Sequence, residues 1–275
     1  MYIEFFKLRE NPFNVTSDPN FLFMSRKHKE ALAFLTYGIE QRKGFLEVTG
    51  EIGTGKTTLC KALLNKFDRK VKTAFVINPD LSELQLLESI AEDFGIQLPK
   101  KAKKLTIFHL LNRFLINQLA LRNNVVLIID EAQNLKSSLL EQIRLLSNLE
   151  TEKEKLIQIV LVGQPELRDK LNSPDLAQLR QRISIRYHIA PLDAEELGAY
   201  IDHRLRVAGS DGSIKFSNDA IDEIYKFSEG IPRLINMACD RALLFGFVLE
   251  TRHIGMDLVK RAVEEIKGHV YEYNK

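Results

Sequence analysis

Five apolar residues in a row, Val125-Val-Leu-Ile-Ile129, stand directly before Asp130-Glu131. A strand with one wet face alternates apolar and polar residues, because successive side chains leave on opposite faces. A run without alternation suits a strand covered on both faces, as in a parallel sheet held between helices. Similar short runs occur at Gly44–Thr49 (GFLEVT), Thr73–Ile77 (TAFVI) and Leu156–Val162 (LIQIVLV), with Ser184–Ile189 (SIRYHI) as a weaker fifth. Helix-sized segments separate them: Lys56–Phe67, Leu81–Phe94, Ile107–Asn123 and Leu139–Leu149. Strands alternating with helices predict right-handed crossovers and an α/β fold built on a parallel sheet.

The pattern changes after Pro191, where only helical periodicity remains. Asp193 and Ser217 each stand before an apolar-periodic run, and Pro232 opens a third; a fourth covers Met256–Lys267. Asp or Ser just before a helix, and Pro in its first turn, are start signals. The chain is therefore expected to divide into an α/β domain over 1–190 and an all-helical domain over 191–275.

Two segments carry the chemistry. Gly50-Glu51-Ile52-Gly53-Thr54-Gly55-Lys56-Thr57, followed by Thr58, fits the phosphate-loop pattern GxxxxGK[ST] between an expected strand and an expected helix. Glycines let the backbone curl so that several N–H groups face one phosphate. Lys56 adds a cation for the β- and γ-phosphates, and Thr57 a hydroxyl for magnesium. The second segment is Asp130-Glu131 at the end of the VVLII strand. An acid there can reach the magnesium, the role expected of Asp130, while Glu131 can orient and polarise an attacking water. This pair argues for hydrolysis, and ATP and Mg2+ are the expected ligands.

Three further positions are singled out. Gln164 follows the LIQIVLVG strand and is placed to contact a γ-phosphate. Leu179-Arg-Gln-Arg182 precedes the fifth strand; an arginine there can point towards a neighbour's nucleotide, with Arg182 preferred and Arg180 its rival. Arg233, in Gly230-Ile-Pro-Arg233, falls in the first turn of a helix, where the dipole disfavours a cation. An anionic partner, with ATP phosphate the natural one, fits that placement.

Composition narrows the rest. The 275 residues are 45% hydrophobic and 28% charged, with a net charge of +2, so nucleic acid is neither required nor excluded as a partner. Cys60 and Cys239 form no CxxC or Cys/His cluster and read as buried free thiols suited to a reducing cytoplasm. The N-terminus lacks the basic start and apolar core of a signal peptide. The best membrane candidate, Ala242–Leu249, is far short of the roughly 18 apolar residues a span needs. No direct membrane insertion is expected of this chain.

Together the motifs resemble an AAA+ ATPase, and within that class the ExeA/GspA (MshM-like) secretion and pilus-assembly family. The resemblance rests on FFKLRENPF (5–13), SDPNFLF (17–23), GEIGTGKTT (50–58), DEAQNL (130–135), RLLSNLET (144–151), VLVGQPEL (160–167), LRQRI (179–183) and GIPRLIN (230–236). It implies a nucleotide pocket between an α/β domain and a helical lid, with Gln164 as sensor 1, Arg182 as arginine finger and Arg233 as sensor 2. It also implies that Asn11–Met24 wraps the adenine, with Phe13, Phe21 and Phe23 as apolar candidates. The implied assembly is a homo-oligomer, ring or helical filament, and the implied partner an inner-membrane secretion or pilus-assembly protein. The chain itself is expected in the cytoplasm, reaching the inner membrane through partners. Members usually continue into a transmembrane helix and a periplasmic domain, and neither follows in these 275 residues. The alternative is an ATP-dependent DNA-binding regulator of the MuB/TnsC transposition type. For that reading Lys100, Lys101, Lys103 and Lys104 would supply phosphate contacts.

Overall fold

In the computed structural model, which describes residues 2–68, 70–77, 81–151 and 154–272, the unalternating run is a strand with both faces covered. The elements run α1 (Tyr2–Phe5), α2 (Arg26–Glu40), β1 (Phe45–Gly50), α3 (Lys56–Lys66), β2 (Val71–Val76), α4 (Glu83–Asp93), α5 (Lys104–Ala120), β3 (Asn124–Ile129), α6 (Ser137–Leu146), β4 (Gln158–Gly163), α7 (Pro165–Leu171), α8 (Ala177–Arg182) and β5 (Ile183–Ile189). Then follow α9 (Ala194–Val207), β6 (Lys215–Phe216), α10 (Asn218–Ser228), α11 (Pro232–Val248), β7 (His253–Ile254) and α12 (Met256–Glu272).

The sheet order is β2-β3-β4-β1-β5, and every pairing is parallel. Central β4 and the apolar part of β3 are buried residue by residue, while edge strand β5 keeps a partly exposed alternation. That edge position is why its sequence signal was the weakest of the five. The one amide inside the apolar run of β4 is satisfied, because the Gly44 N–H donates to Gln158 Oε1 at 2.7 Å. Parallel strands present all their C-terminal ends on one side. Gly50, Asp130 and Gln164 all follow or close such ends, on β1, β3 and β4. This is the side on which open α/β sheets bind ligands.

The chain groups into two compact units. One comprises Lys29–Gly50 and Leu59–Ile189; the other comprises Met1–His28, Glu51–Thr58 and Ala190–Lys275. In the sheet unit, α2 was not expected from the sequence. It lies close against β1 at Gly38, where a Cβ would come within 2.3 Å of Leu46 Cδ2.

In the helical unit the start signals hold: α9 follows Asp193, α10 follows Ser217 and α11 begins at Pro232. The region is not purely helical, however. The two-residue strands β6 and β7 pair in parallel, too short for any periodicity to announce them. The N-terminal segment joins this core, with Phe6, Phe13 and Phe21 buried beside α9, α10 and α11 side chains. Arg204 on α9 grips it. Its Nε donates to Pro12 O at 2.5 Å, its Nη2 to Asn14 O at 2.9 Å, and its guanidinium lies 4.8 Å from the Phe21 ring centre. Cys60 and Cys239 are both buried, and neither is in a disulfide. Among the described residues no helix is long and apolar enough to cross a membrane.

Gly230 is the tightest point of the helical unit. Its φ is +77°, its carbonyl accepts from Leu192 N–H at 2.9 Å, and a Cβ there would fall 2.0 Å from the Leu192 carbonyl oxygen. The obstacle is backbone and cannot rotate away. Gly230→Ala should therefore lose about 3 kcal/mol or more of unfolding free energy, measured by urea denaturation. An unchanged midpoint would show that the α9 and α11 entry turns separate at no cost.

Candidate nucleotide site

The loop after β1 belongs to the helical unit and is shaped by two left-handed glycines, Gly53 (φ +84°) and Gly55 (φ +91°). Both positions are crowded as well as left-handed. A Cβ on Gly53 would lie 2.6 Å from Arg233 Cβ, and one on Gly55 would lie 3.2 Å from His28 Nε2. The Arg233 N–H donates to Gly53 O at 3.2 Å. The structure thus brings two motifs 180 residues apart in sequence into contact: the phosphate loop and the first turn of α11. Lys56, 6% exposed, donates to Glu51 O across the loop at 2.9 Å, and Thr54 Oγ1 donates to the same carbonyl at 2.8 Å. Thr57 and Thr58 follow in the first turn of α3.

Sequence reasoning missed two residues here. His28, 3% exposed, has its Nε2 3.0 Å from Thr54 O and its Nδ1 2.7 Å from Ser25 Oγ. A carbonyl can only accept, so Nε2 carries the proton and Nδ1 accepts from the serine hydroxyl. Burial pushes the His28 pKa down, against smaller opposing effects of the Thr54 carbonyl and Glu196, so the ring is neutral. The polar pair at positions 25 and 28, one turn apart, was the available signal.

The acidic pair belongs to the sheet unit. Asp130 is 1% exposed, and its N–H donates to Val76 O at 3.0 Å, prolonging the β2–β3 ladder by one residue. Glu131 departs from the strand with φ +53° and ψ +36°, a left-handed conformation uncommon for a residue with a side chain and enriched at functional sites. The turn sends its carboxylate towards the end of β4, where Oε2 accepts from Gln164 Nε2 at 3.2 Å and from Gln133 Nε2 at 2.6 Å. Gln133, also missed, accepts through Oε1 from the Gln164 N–H at 3.1 Å. Gly163 makes room for it, since a Cβ there would stand 2.7 Å from that Oε1. Glu131, Gln133 and Gln164 therefore form one hydrogen-bonded cluster across adjacent strand ends.

The arginines before β5 sit elsewhere. They lie at the N-terminal end of an edge strand, the opposite side of the sheet from Asp130 and Gln164. Arg182 Nη1 donates to Ser147 Oγ at 3.0 Å, while Arg180 is exposed. Arg186 braces the pair: its Nε lies 3.2 Å from the buried Glu47 carboxylate, and its Nη2 donates to Arg180 O at 3.2 Å. Burial raises the Glu47 pKa despite that arginine. Of the three phenylalanines, Phe13 is 2% exposed and edge-on to Phe216, Phe21 is buried, and Phe23 meets Tyr200 edge-on. Phe13 and Phe21 are part of the helical unit's core, and partly buried Phe23 packs against it. Of the four lysines, Lys104 is paired with Glu83 at 2.7 Å.

Residues 39–171 match the family described as AAA domain. Those residues form an AAA domain with the P-loop NTPase fold. Over 268 residues, 98% of its length, the chain is 43% identical to General secretion pathway protein A of Aeromonas hydrophila, of which it covers 49%. The chain thus spans about half the length of that curated relative. The resemblance read from the motifs to the secretion-associated AAA+ family is borne out by this identity. The fold recurs in the ORC2 protein of Aeropyrum pernix in ADPNP and ADP complexes, with a TM-score of 0.70 at 20% identity over 93% of this chain and 71% of that one. It recurs again in Cdc6p of Pyrobaculum aerophilum, with a TM-score of 0.68 at 18% identity over 90% and 70%. The AAA assignment implies nucleotide hydrolysis as the general activity.

Proposed function

We propose that this chain hydrolyses ATP to ADP and phosphate with Mg2+, as a homo-oligomer, to drive assembly of a bacterial secretion or pilus machine. The hydrolytic reading rests on one observation: Glu131, beside buried Asp130, is turned by a left-handed residue onto Gln164 at the neighbouring strand end. That is a held carboxylate with an amide partner, the arrangement needed to orient a water against a terminal phosphate. The secretion reading rests on the 43% identity to General secretion pathway protein A. Partners at the inner membrane would then bring the chain to its place of work.

The residues fit the ligands. Gly53 and Gly55 form a cradle that side chains would fill. Lys56 supplies charge to the β- and γ-phosphates, and residues Gly50–Thr58 supply N–H donors. The Thr57 hydroxyl and Asp130 carboxylate are hard oxygen donors of the kind magnesium takes. Bound magnesium would neutralise charge on the phosphate oxygens. Glu131 accepts the proton of the attacking water, and Gln164 holds Glu131 and registers the γ-phosphate. Arg233, in the turn that packs on Gly53, adds charge to the phosphates in the same subunit. We assign 1–190 as the α/β domain and 191–275 as the helical lid domain. The segment Asn11–Met24, with Phe13 anchoring it in the core, is assigned to the adenine side.

Lys56→Ala tests the reading. Removing this charge should weaken ATP binding, followed by equilibrium dialysis, by about tenfold or more, with hydrolysis falling in step. Wild-type binding and turnover would end the P-loop assignment. Salt-dependent binding of duplex DNA in the presence of ATP would instead favour the transposition-type regulator.

A further inference from the structure

A phosphate loop works by facing its N–H groups towards the anion, which turns its carbonyls the other way. A carbonyl turned into the protein interior needs a donor there. Thr54 is fully buried, and the donor its carbonyl finds is His28 Nε2. In a trans peptide the C=O of one residue and the N–H of the next point in opposite directions. Holding Thr54 O against the ring therefore holds the Gly55 N–H pointing away from it. The ring also sits under Gly55, 3.2 Å from where a Cβ would be, so the peptide cannot sink towards it. The donor is itself fixed: Ser25 Oγ donates to Nδ1 at 2.7 Å and accepts from the His28 N–H at 3.2 Å, which sets both the tautomer and the ring plane.

Resting on the P-loop reading above, we infer that His28, locked by Ser25, is a positioning residue of the nucleotide site that aims the Gly55 N–H at the phosphates of a nucleoside di- or triphosphate. Without the imidazole donor, the peptide between Thr54 and Gly55 gains by rotating its carbonyl towards solvent on the phosphate side. There it meets the ligand as a repelling oxygen instead of a donor. Nucleotide binding must then first turn the peptide back. The loss falls on ground state and transition state alike, so it appears in affinity and KM and spares kcat.

The test compares wild type, Lys56→Ala, His28→Ala, His28→Gln and Ser25→Ala. ADP affinity is read by equilibrium dialysis with and without magnesium, ATP turnover gives KM and kcat, and thermal melting checks the fold. His28→Ala should bind ADP about tenfold or more weakly, with kcat little changed. His28→Gln should recover most of that affinity, because its amide nitrogen lies as many bonds from Cα as Nε2 and can donate to Thr54 O. Ser25→Ala, which keeps the donor but frees the ring, should lose less than His28→Ala. ADP affinity within twofold of wild type in both His28 variants, while Lys56→Ala loses binding, overturns the inference and leaves the P-loop reading intact. A kcat loss at unchanged KM, or a glutamine no better than alanine, also overturns it. Should His28→Ala fail to fold, His28→Gln and Ser25→Ala still decide. If Lys56→Ala binds ADP as wild type does, the P-loop reading itself has failed.

Discussion

Glu131→Gln should leave ATP binding at its wild-type level and slow hydrolysis by about a hundredfold or more, the usual span for loss of a positioned base. The substitution keeps the size of the side chain and its place after β3. A single carboxylate oxygen, Oε2, accepts from two amides, Gln133 at 2.6 Å and Gln164 at 3.2 Å. An amide at 131 can keep both contacts by turning its oxygen to that place, so the strand ends stay together. It cannot take a proton from water. ATP retained on the protein, measured by dialysis, should therefore rise against phosphate released, and any ATP-dependent oligomer should persist instead of cycling. Asp130→Ala should fail differently, in magnesium-dependent binding. Unchanged phosphate release from Glu131→Gln would move the water-activating role to another residue.

What could be read in advance follows from how local each signal is. The strand over Val125–Ile129 announces itself because five neighbours share one environment, and the loop Gly50–Thr57 because its chemistry is set by glycine and lysine spacing within eight residues. The helix starts at Asp193, Ser217 and Pro232 are equally local, each a single capping or first-turn residue. The features that escaped depend on contacts between distant segments. The polar pair Ser25 and His28 is visible one turn apart, but it does not say that the ring will meet a loop 26 residues later. Gln133 reads as one polar residue of a turn until β3 and β4 are paired and Gly163 clears the space beside it. The helix over Arg26–Glu40 goes unannounced because its first turn is basic, against the helix dipole, and Gly38 interrupts it. In the fold that glycine is what allows close packing on Leu46. The ladder of β6 with β7 joins pairs of residues 38 apart and has no period at all.

Arg182→Ala should bind ATP and hydrolyse it about a thousandfold more slowly, because a finger's charge is needed chiefly in the transition state. On the proposed finger role, the topology bears on whose ATP Arg182 would serve. Asp130 and Gln164 stand at the C-terminal ends of β3 and β4, and Arg182 stands at the N-terminal end of β5. A strand of this length separates those two sides of the sheet by roughly 20 Å. Arg182 is thus too far from the acidic pair of its own chain to touch the same phosphate. The edge position of β5 and the brace from Arg186 to Arg180 O present the α8 corner outward in a fixed form. In the single chain Arg182 donates to Ser147 Oγ and also feels the charge of the Glu150 carboxylate, and a neighbour's phosphate would have to draw it from both. A finger used in trans requires a head-to-tail contact, closing into a ring or continuing as a filament. Specific activity should accordingly rise with protein concentration, and ATP should promote assembly. Mixing Arg182→Ala with Glu131→Gln protein separates the possibilities. Each is nearly inactive alone, but some interfaces of a mixed oligomer join an intact Glu131 to an intact Arg182, so activity should partly return. If native mass spectrometry shows mixed oligomers and no activity returns, Arg182 does not act across the interface. The same mixture made with Arg180→Ala then tests the exposed neighbour one half-turn away on α8, and a monomeric ATPase is what remains if that too restores nothing.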